Sequence, residues 1–223
     1  MGIYEKYFFI LLALFSCKLY SLTDDEVKFL KACENGKYET VITMLDRKIN
    51  VNVTTEDGLT GLMLASHKGY PNIVKLLIRH NADINIVDNV GYNALIFAAS
   101  EGRNDIAKML IKAKININAK NSYGENALHV ASYKLYSNVV QTLIDSEIDI
   151  NAVNNDGDNA LMMVFMSAAT REEMMPTIEI LCKNGIDVNA KDKNGESIIA
   201  YIRANYKKGD ALIEYLQQYG AVE

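Results

Sequence analysis

Few side chains in this sequence could support acid–base or metal chemistry. Its histidines are His67, His80 and His129. A zinc site needs several ligands at close spacing, and a general base needs a nucleophile or acid within reach. His67 and His80 fall on different predicted helices with no further Cys or His nearby, and no nucleophile or acid accompanies His129 at a matching spacing. We therefore expect no catalytic residue, no metal site and no cofactor.

Phosphate and nucleic-acid binding are also unsupported by the sequence. The glycines are isolated, and neither GxxxxGK[ST] nor GxGxxG occurs. The net charge is -5, and lysine and glutamate are mixed along the chain, so no basic patch indicates a nucleic-acid partner. With 49% hydrophobic and 23% charged residues, the composition is that of a folded chain. The sequence favours a folded protein that is not an enzyme.

Residues 1–21 differ from the rest of the chain. A start containing Lys6 leads into the apolar run Phe8–Phe15 and then to the small residue Ser21, the order found in a secretory signal peptide. The run is too short to cross about 30 Å of hydrocarbon. We expect cleavage after Ser21 and a periplasmic or secreted protein. Two alternatives stay open: an N-terminal membrane anchor, with lipid on Cys17 as one form, or an uncleaved N-terminus on a cytoplasmic protein.

A pattern of about 33 residues recurs along the remainder of the chain. Glycines recur at intervals of 33, 33, 33 and 38 residues, at Gly58, Gly91, Gly124, Gly157 and Gly195. Asparagines preceded by Val or Ile keep the same intervals, at Asn52, Asn85, Asn118, Asn151 and Asn189. Because the glycine and asparagine series keep the same intervals, they indicate a stack of units, each of which packs against its neighbours.

Each unit is predicted to form a turn followed by two helices. An Asx residue three positions before the glycine is typical of a type I turn. Two residues after each glycine comes a side chain able to cap a helix: Thr60, Asn93, Asn126, Asn159 and Ser197. The first helix then contains small residues such as Ala98 and Ala99, and the second has apolar residues at helical spacing, such as Ile106 and Leu110. The small residues allow neighbouring helices to approach closely.

This unit resembles the ankyrin repeat, whose signature is D-x-x-G-x-T-P-L-H-x-A-A-x-x-G. The segments "EDGLTGLMLASHKGYPNIVKLLIRHNADIN" and "YGENALHVAS" carry the resemblance, which covers about residues 24–223. It implies an all-α solenoid of about six helix-turn-helix units with short hairpin tips. It also implies that His129, the one signature histidine retained, bonds to backbone within its repeat. Three units have Asn-Ala in place of Thr-Pro, which keeps the cap and loses the proline.

The ankyrin-repeat domain is expected at residues 22–223. Its units are expected at about 24–54, 55–87, 88–120, 121–153, 154–191 and 192–223. Cys33 and Cys182 fall in the first and fifth units, about 40 Å apart if the layers of helices are about 10 Å apart. That distance excludes a disulfide. Both cysteines are therefore predicted to be small buried hydrophobic residues.

The fifth unit is five residues longer than its neighbours. The segment Ala168–Met175 replaces the tight glycine turn between its two helices. In one interpretation, Met174 and Met175, beside three charged residues, form an adaptable contact. In the other, the inner helix gains one turn that packs locally. The sequence favours neither interpretation over the other.

The resemblance also implies where a partner docks, because such solenoids bind through hairpin tips and exposed positions of the inner helices. Several large apolar side chains fall at those positions: Leu59, Val90, Tyr92, Tyr123, Tyr133 and Met166. Tyr and Met are enriched in interface cores, and aromatic anchors carry much of the binding energy. The alternative is that the tyrosines only pack over neighbouring tips with their hydroxyl groups in water.

These expectations lead to one favoured functional hypothesis and two alternatives. The favoured function is a monomeric, exported scaffold that binds another protein. The first alternative is a membrane-tethered accessory subunit of an enzyme or envelope complex, lipidated at Cys17. The second alternative is an intracellular regulatory protein with an uncleaved N-terminus. All three lack a cofactor and a nucleic-acid partner.

Overall fold

The computed structural model describes residues 22–167, 169–206 and 209–222. Within these ranges it has twelve helices and no β-strand. They are α1 (Asp24–Glu34), α2 (Tyr38–Asp46), α3 (Gly61–Lys68), α4 (Pro71–Arg79), α5 (Ala94–Ser100), α6 (Asn104–Lys112), α7 (Ala127–Tyr133), α8 (Ser137–Asp145), α9 (Ala160–Met166), α10 (Arg171–Lys183), α11 (Ile198–Asn205) and α12 (Asp210–Gln217). The predicted signal peptide or anchor, with Cys17, lies outside the described residues. None of the helices just given is long and apolar enough to cross a bilayer.

The helices form two parallel rows with the hydrophobic core between them. The odd-numbered helices form the inner row, in which α1, α3, α5, α7 and α9 pack in succession. The even-numbered helices from α2 to α10 pack in succession in the outer row, and each inner helix contacts the outer helix that follows it. This arrangement confirms the predicted all-α helix-turn-helix solenoid. Each pair lies inside one of the six predicted units, whose bounds stay a prediction.

Side chains at the expected positions begin the inner helices. The Thr60 hydroxyl accepts a hydrogen bond from the Met63 N–H at 3.2 Å, and Asn93 Oδ1 accepts one from the Ile96 N–H at 2.9 Å. Asn126, Asn159 and Ser197 cap α7, α9 and α11 in the same way. These bonds satisfy N–H groups that have no partner inside the helix. The repeated Thr, Asn or Ser is thus explained by helix initiation.

The repeated asparagines join each unit to the next. In every case the side-chain Oδ1 accepts a hydrogen bond from a backbone N–H of the following unit. The pairs are Asn52 with Asp83 (2.8 Å), Asn85 with Asn116 (2.8 Å), Asn118 with Asp149 (3.0 Å), Asn151 with Asp187 (2.7 Å) and Asn189 with Val222 (2.9 Å). We call this series the asparagine ladder. It explains why asparagine returns at the same interval as the turn glycine.

The insertion in the fifth unit lengthens the outer helix, so the interpretation in which the inner helix gains a turn is wrong. Helix α9 ends at Met166, and α10 has 13 residues where α4, α6 and α8 each have 9. Its start is fixed by a capping box in which Thr170 and Glu173 bond to each other's backbone. Met174 is fully buried in the core, so it is not the adaptable surface contact considered above. Met175 is partly buried against the same core.

Removing one bond of the ladder is expected to destabilise the stack measurably. The Asn118→Ala variant leaves the Asp149 N–H without its protein partner and should lower the free energy of unfolding by about 1 kcal/mol. Urea denaturation followed by circular dichroism measures this change. The control is Asn72→Ala, at an exposed position of α4. Equal stability of the two variants would contradict a stabilising role for the ladder.

Candidate protein-binding surface

The hairpin tips are joined to one another by backbone hydrogen bonds. In each tip after the first, the second residue donates its N–H to the carbonyl of the third residue in the preceding tip. The pairs are Asn89 to Asp57 (2.9 Å), Ser122 to Val90 (2.8 Å), Asn155 to Tyr123 (2.9 Å) and Lys193 to Asp156 (2.7 Å). We call the tips at 55–58, 88–91, 121–124, 154–157 and 192–195 the tip row. Its continuous bonding holds the side chains at the third position in a fixed line.

Each tip is also braced from within by its first residue. Asp88 Oδ1 accepts hydrogen bonds from the N–H groups of Val90 and Tyr92, at 2.9 and 2.7 Å. Burial raises the pKa of the Asp88 carboxyl, while these backbone bonds act in the opposite direction. Gly91 has a left-handed backbone (φ 90°), and a Cβ there would lie 2.9 Å from the Asn121 Cα of the next tip. Glycine is therefore required both by conformation and by close approach.

The structure places the six predicted contact residues in three different environments. Tyr123, at a tip, is 36% exposed, and Met166, the last residue of α9, is 43% exposed. Val90, Tyr92 and Tyr133 are partly buried. Val90 and Tyr123 are on successive tips, whereas Tyr133 and Met166 end successive inner helices that pack together. Binding by these residues is a prediction that the geometry alone leaves open.

The expected exposure of Leu59 is wrong. Leu59 is only 4% exposed and belongs to the hydrophobic core. Its N–H bonds to the Thr55 hydroxyl and its carbonyl to the Thr55 N–H, at 3.1 and 3.0 Å. These bonds close the tip, and the next residue, Thr60, is already the buried cap of α3. The backbone therefore turns from the tip towards the inner helix at Leu59, and the Leu59 side chain lies in the hydrophobic core.

Tyr92 has a structural role besides any role in binding. Its ring packs against Phe97 of the same repeat with a centroid separation of 5.4 Å. Such aromatic pairs contribute about 0.5–1.5 kcal/mol beyond the burial of their area. The interpretation of the tyrosines as packing residues therefore applies in part to Tyr92. A test of binding should use Tyr123 and Met166, which are more exposed.

Sequence reasoning missed a cleft between the fifth and sixth repeats. Its volume is about 220 Å³, and its walls come from two tips and two inner helices. Among the predicted contact residues, Met166 lines it. The other lining residues are Asp156, Asp158, Met162, Asp192, Lys193, Asn194, Glu196, Ser197, Ile198 and Tyr201. The signal in the sequence was the loss of small residues at Val164-Phe165, where the second to fourth units have Ala-Ser or Ala-Ala.

His129 is a structural residue that links two repeats. It is fully buried, with Nδ1 3.3 Å from the backbone nitrogen of Asn126 and 2.7 Å from Asn126 Oδ1. Nε2 lies 3.2 Å from the carbonyl oxygen of Asp158 in the following repeat. Burial lowers the pKa of His129 to about 4, so the ring is neutral at pH 7. The implied bond within the repeat is present, together with one between repeats.

His67 lies near the end of α3 and is also uncharged at pH 7. Burial lowers its pKa to about 4, and the positive charges of Lys68 and Arg103 add to the effect. Its ring packs edge-on against Phe97 with a centroid separation of 5.8 Å. His67 Nδ1 is 3.9 Å from Glu101 Oε1, which is beyond hydrogen-bonding distance. The residue thus packs within the inner row.

The residues that the structure describes contain neither a reactive thiol nor a metal-binding group. Cys33 and Cys182 are buried and free, as predicted, and burial raises the pKa of the two thiols to about 12 and about 11. Thiols with such pKa values are protonated and unreactive at pH 7. Across the same ranges, no group of three or more His, Cys, Asp or Glu residues has a geometry that could hold a metal ion.

The fold and the tip row define a helical repeat protein with a continuous surface of tips and inner helices. A family model described as ankyrin repeats, in three copies, matches residues 29–121 and again residues 116–192. These matches cover most of the chain, which therefore belongs to the ankyrin-repeat family. Ankyrin repeats generally mediate protein–protein interactions, and the family is generally non-enzymatic.

His67 and His129 are expected to make stability depend on pH. Their folded-state pKa of about 4 lies below the usual value of about 6.5. The unfolded chain therefore binds more protons between these values, and stability falls as the pH is lowered through that window. The loss approaches about 1.4 kcal/mol per pH unit for each histidine. Urea denaturation at pH 7, 6 and 5 measures it.

Substitution of one histidine at a time shows which histidine causes this pH dependence of stability. His67→Gln and His129→Gln should each reduce the fall in unfolding free energy between pH 7 and 5. The exposed His80 provides the control, and His80→Gln should leave the fall unchanged. The same pH dependence in all three variants would show that other groups cause it.

Proposed function

We propose that this protein is a non-enzymatic scaffold that binds another protein through the tip row and the adjoining ends of the inner helices. The contact surface is centred on Val90, Tyr123 and Met166, with Tyr92 and Tyr133 at its edge. Support comes from the ankyrin-repeat fold and from the large apolar side chains left exposed on this face. Leu59, being buried, is not part of the proposed surface.

The exposure of Tyr123 on a rigid tip carries this proposal. The carbonyl of Tyr123 is fixed by the Asn155 N–H, and its N–H by Asn121 Oδ1 at 2.9 Å. The backbone is therefore already ordered before a partner arrives. An aromatic side chain on an ordered backbone has only its own torsions to fix on binding, which suits an interface anchor.

The affinity-capture test compares two matched pairs of exposed side chains. The variant Tyr123→Ala/Met166→Ala should retain at least tenfold less partner from an extract of the native host than the wild type. Its melting temperature should stay nearly unchanged, because exposed substitutions usually alter stability by less than about 0.5 kcal/mol. The control Tyr38→Ala/Tyr219→Ala removes two exposed tyrosines outside the tip row. Equal retention by all three proteins would refute the proposed surface.

For location, we propose export to the periplasm or medium after removal of residues 1–21. The apolar run Phe8–Phe15 followed by Ser21 supports this proposal. Tethering through a lipid on Cys17, as an accessory subunit, and an intracellular regulatory role are the alternatives. The partner-binding surface is the same in all three cases.

Mass spectrometry of the protein isolated from its native host distinguishes the three locations. Export predicts a free N-terminal Leu22, because cleavage follows Ser21. Lipidation predicts an N-terminal Cys17 that carries acyl chains, and an intracellular protein keeps the residues that follow Met1. A lipidated Cys17 would refute cleavage after Ser21, and a retained N-terminus would refute export, while either result leaves the binding proposal intact.

A further inference from the structure

The cleft between the fifth and sixth repeats has an apolar floor. Met162 and Met166 of α9 face Ile198 and Tyr201 of α11 across it. Met166 is exposed, whereas Met162 and Ile198 are buried at the base. Thioether side chains adapt their shape to an incoming group, which suits a contact surface. The floor adjoins the proposed binding surface because Met166 belongs to both.

The cleft exists because the last inner helix stands away from its neighbour. The backbones of α9 and α11 approach less closely than any earlier pair of consecutive inner helices. The second to fourth repeats have Ala-Ser or Ala-Ala at the close-packing position, and the fifth has Val164-Phe165. The Tyr206 hydroxyl donates to the Phe165 carbonyl at 2.6 Å, and the two rings pack edge to face at 5.9 Å. Large side chains therefore hold this junction apart.

The rim of the cleft is negatively charged. Its ionisable groups are four carboxylates and one ammonium: Asp156, Asp158, Asp192, Glu196 and Lys193. Lys193 pairs with the Asp156 carboxylate at the outer edge. Hydrogen bonds from backbone and side-chain N–H groups lower the pKa of Asp192, which keeps it ionised. Three negative charges thus remain uncompensated within this set around the apolar floor.

The electrostatic environment of Asp158 indicates that a cation would stabilise the rim. Burial raises the pKa of Asp158, and the charges of Asp156 and Asp192 raise it further, against a hydrogen bond from Asn154 and the positive charge of Lys193. Burial likewise raises the pKa of Tyr201, and the charges of Asp158 and Glu196 contribute. A positive group in the cleft would relieve this repulsion. An anionic group would increase it.

An apolar floor with an acidic rim matches the side chains of lysine and arginine. Their methylene stems pack on apolar surface, and their charged ends extend to carboxylates. A bare metal ion fits poorly, because Asp192 Oδ1 already accepts the N–H groups of Asn194 and Glu196, at 2.9 and 2.7 Å. A purely apolar side chain would leave the rim charges unpaired.

We propose that this cleft binds a lysine or arginine side chain of the polypeptide partner. The proposal rests on the proposed function, because the partner is taken to be a protein that also contacts Tyr123 and Met166. The arginine or lysine enters at the C-terminal end of the tip row. The exposed Glu196 and the buried Asp158, which also lines the cleft, are the carboxylates that receive its charge, and Met166 and Tyr201 contact its stem.

The direct test uses acetyl-arginine-amide as the probe and the full chain labelled with ¹³C at methionine methyl groups. Its neutral isostere, acetyl-citrulline-amide, is the ligand control. The arginine probe should shift the Met162 and Met166 resonances saturably, and the citrulline probe should bind at least tenfold more weakly. Met162→Leu and Met166→Leu variants assign the resonances. Equal shifts with both probes, or none with arginine, would overturn the proposal.

Charge-removing variants locate the binding group. Asp158→Asn/Glu196→Gln should weaken arginine binding at least tenfold, and the Asn side chain keeps an oxygen that can accept the Asn154 bond. Glu172→Gln/Glu214→Gln removes the same charge from exposed positions outside the cleft and should change nothing. Unchanged affinity in the cleft variant would overturn the assignment.

Capture of the natural partner separates this inference from the proposed function. The Asp158→Asn/Glu196→Gln variant should retain at least tenfold less partner than the Glu172→Gln/Glu214→Gln control. If Tyr123→Ala/Met166→Ala loses the partner while the cleft variant keeps it, the scaffold function stands and the cleft assignment fails. If neither pair of substitutions reduces capture, the proposed function itself fails.

Discussion

The hydrogen bonds that pass from one repeat to the next are the interaction on which the rest of this structure depends. A single helix pair cannot bury its apolar faces alone, so its position must be set by its neighbours. The asparagine ladder fixes that position at one edge, as where Asn85 Oδ1 receives the Asn116 N–H. The tip row fixes it at another, as where Ser122 donates to Val90. Both use backbone groups that would otherwise lack partners.

This bonding separates stability from recognition within each repeat. The first tip residue, the asparagine of the ladder and the cap of the inner helix are all engaged in holding the stack. The third tip residue contributes its carbonyl to the tip row, so its side chain is free to vary without loss of that bond. The chain uses this freedom by placing Val90, Tyr123 and Asp156 at equivalent positions. The same hydrogen-bonded tip row can therefore carry apolar side chains in some repeats and acidic side chains in others.

The sequence predicts the architecture well because each repeated residue type has a local cause. Asparagine and glycine at a fixed interval locate the turns, and the caps locate the starts of the inner helices. The exposure of individual side chains is harder to predict, because it depends on where the chain turns into the stack. Leu59 illustrates this limit, since it follows a tip and is buried by the closing bonds of that tip. Neither interpretation of the insertion foresaw the longer outer helix, which the Thr170–Glu173 capping box begins early.

The junction of the fifth and sixth repeats shows how a small change of packing residues creates a chemically distinct surface. Replacing the small pair by Val164-Phe165 would leave a gap between inner helices, and Tyr206 fills its deeper part with a ring and a hydrogen bond. The outer part stays open beneath the last two tips, where Asp156 and Asp192 of the tips and the neighbouring Asp158 and Glu196 supply carboxylates. Because the tip row continues across the junction through Lys193 and Asp156, the opening costs no bond in that row. A repeat stack can thus acquire a charged cleft by enlarging its core residues while its framework stays intact.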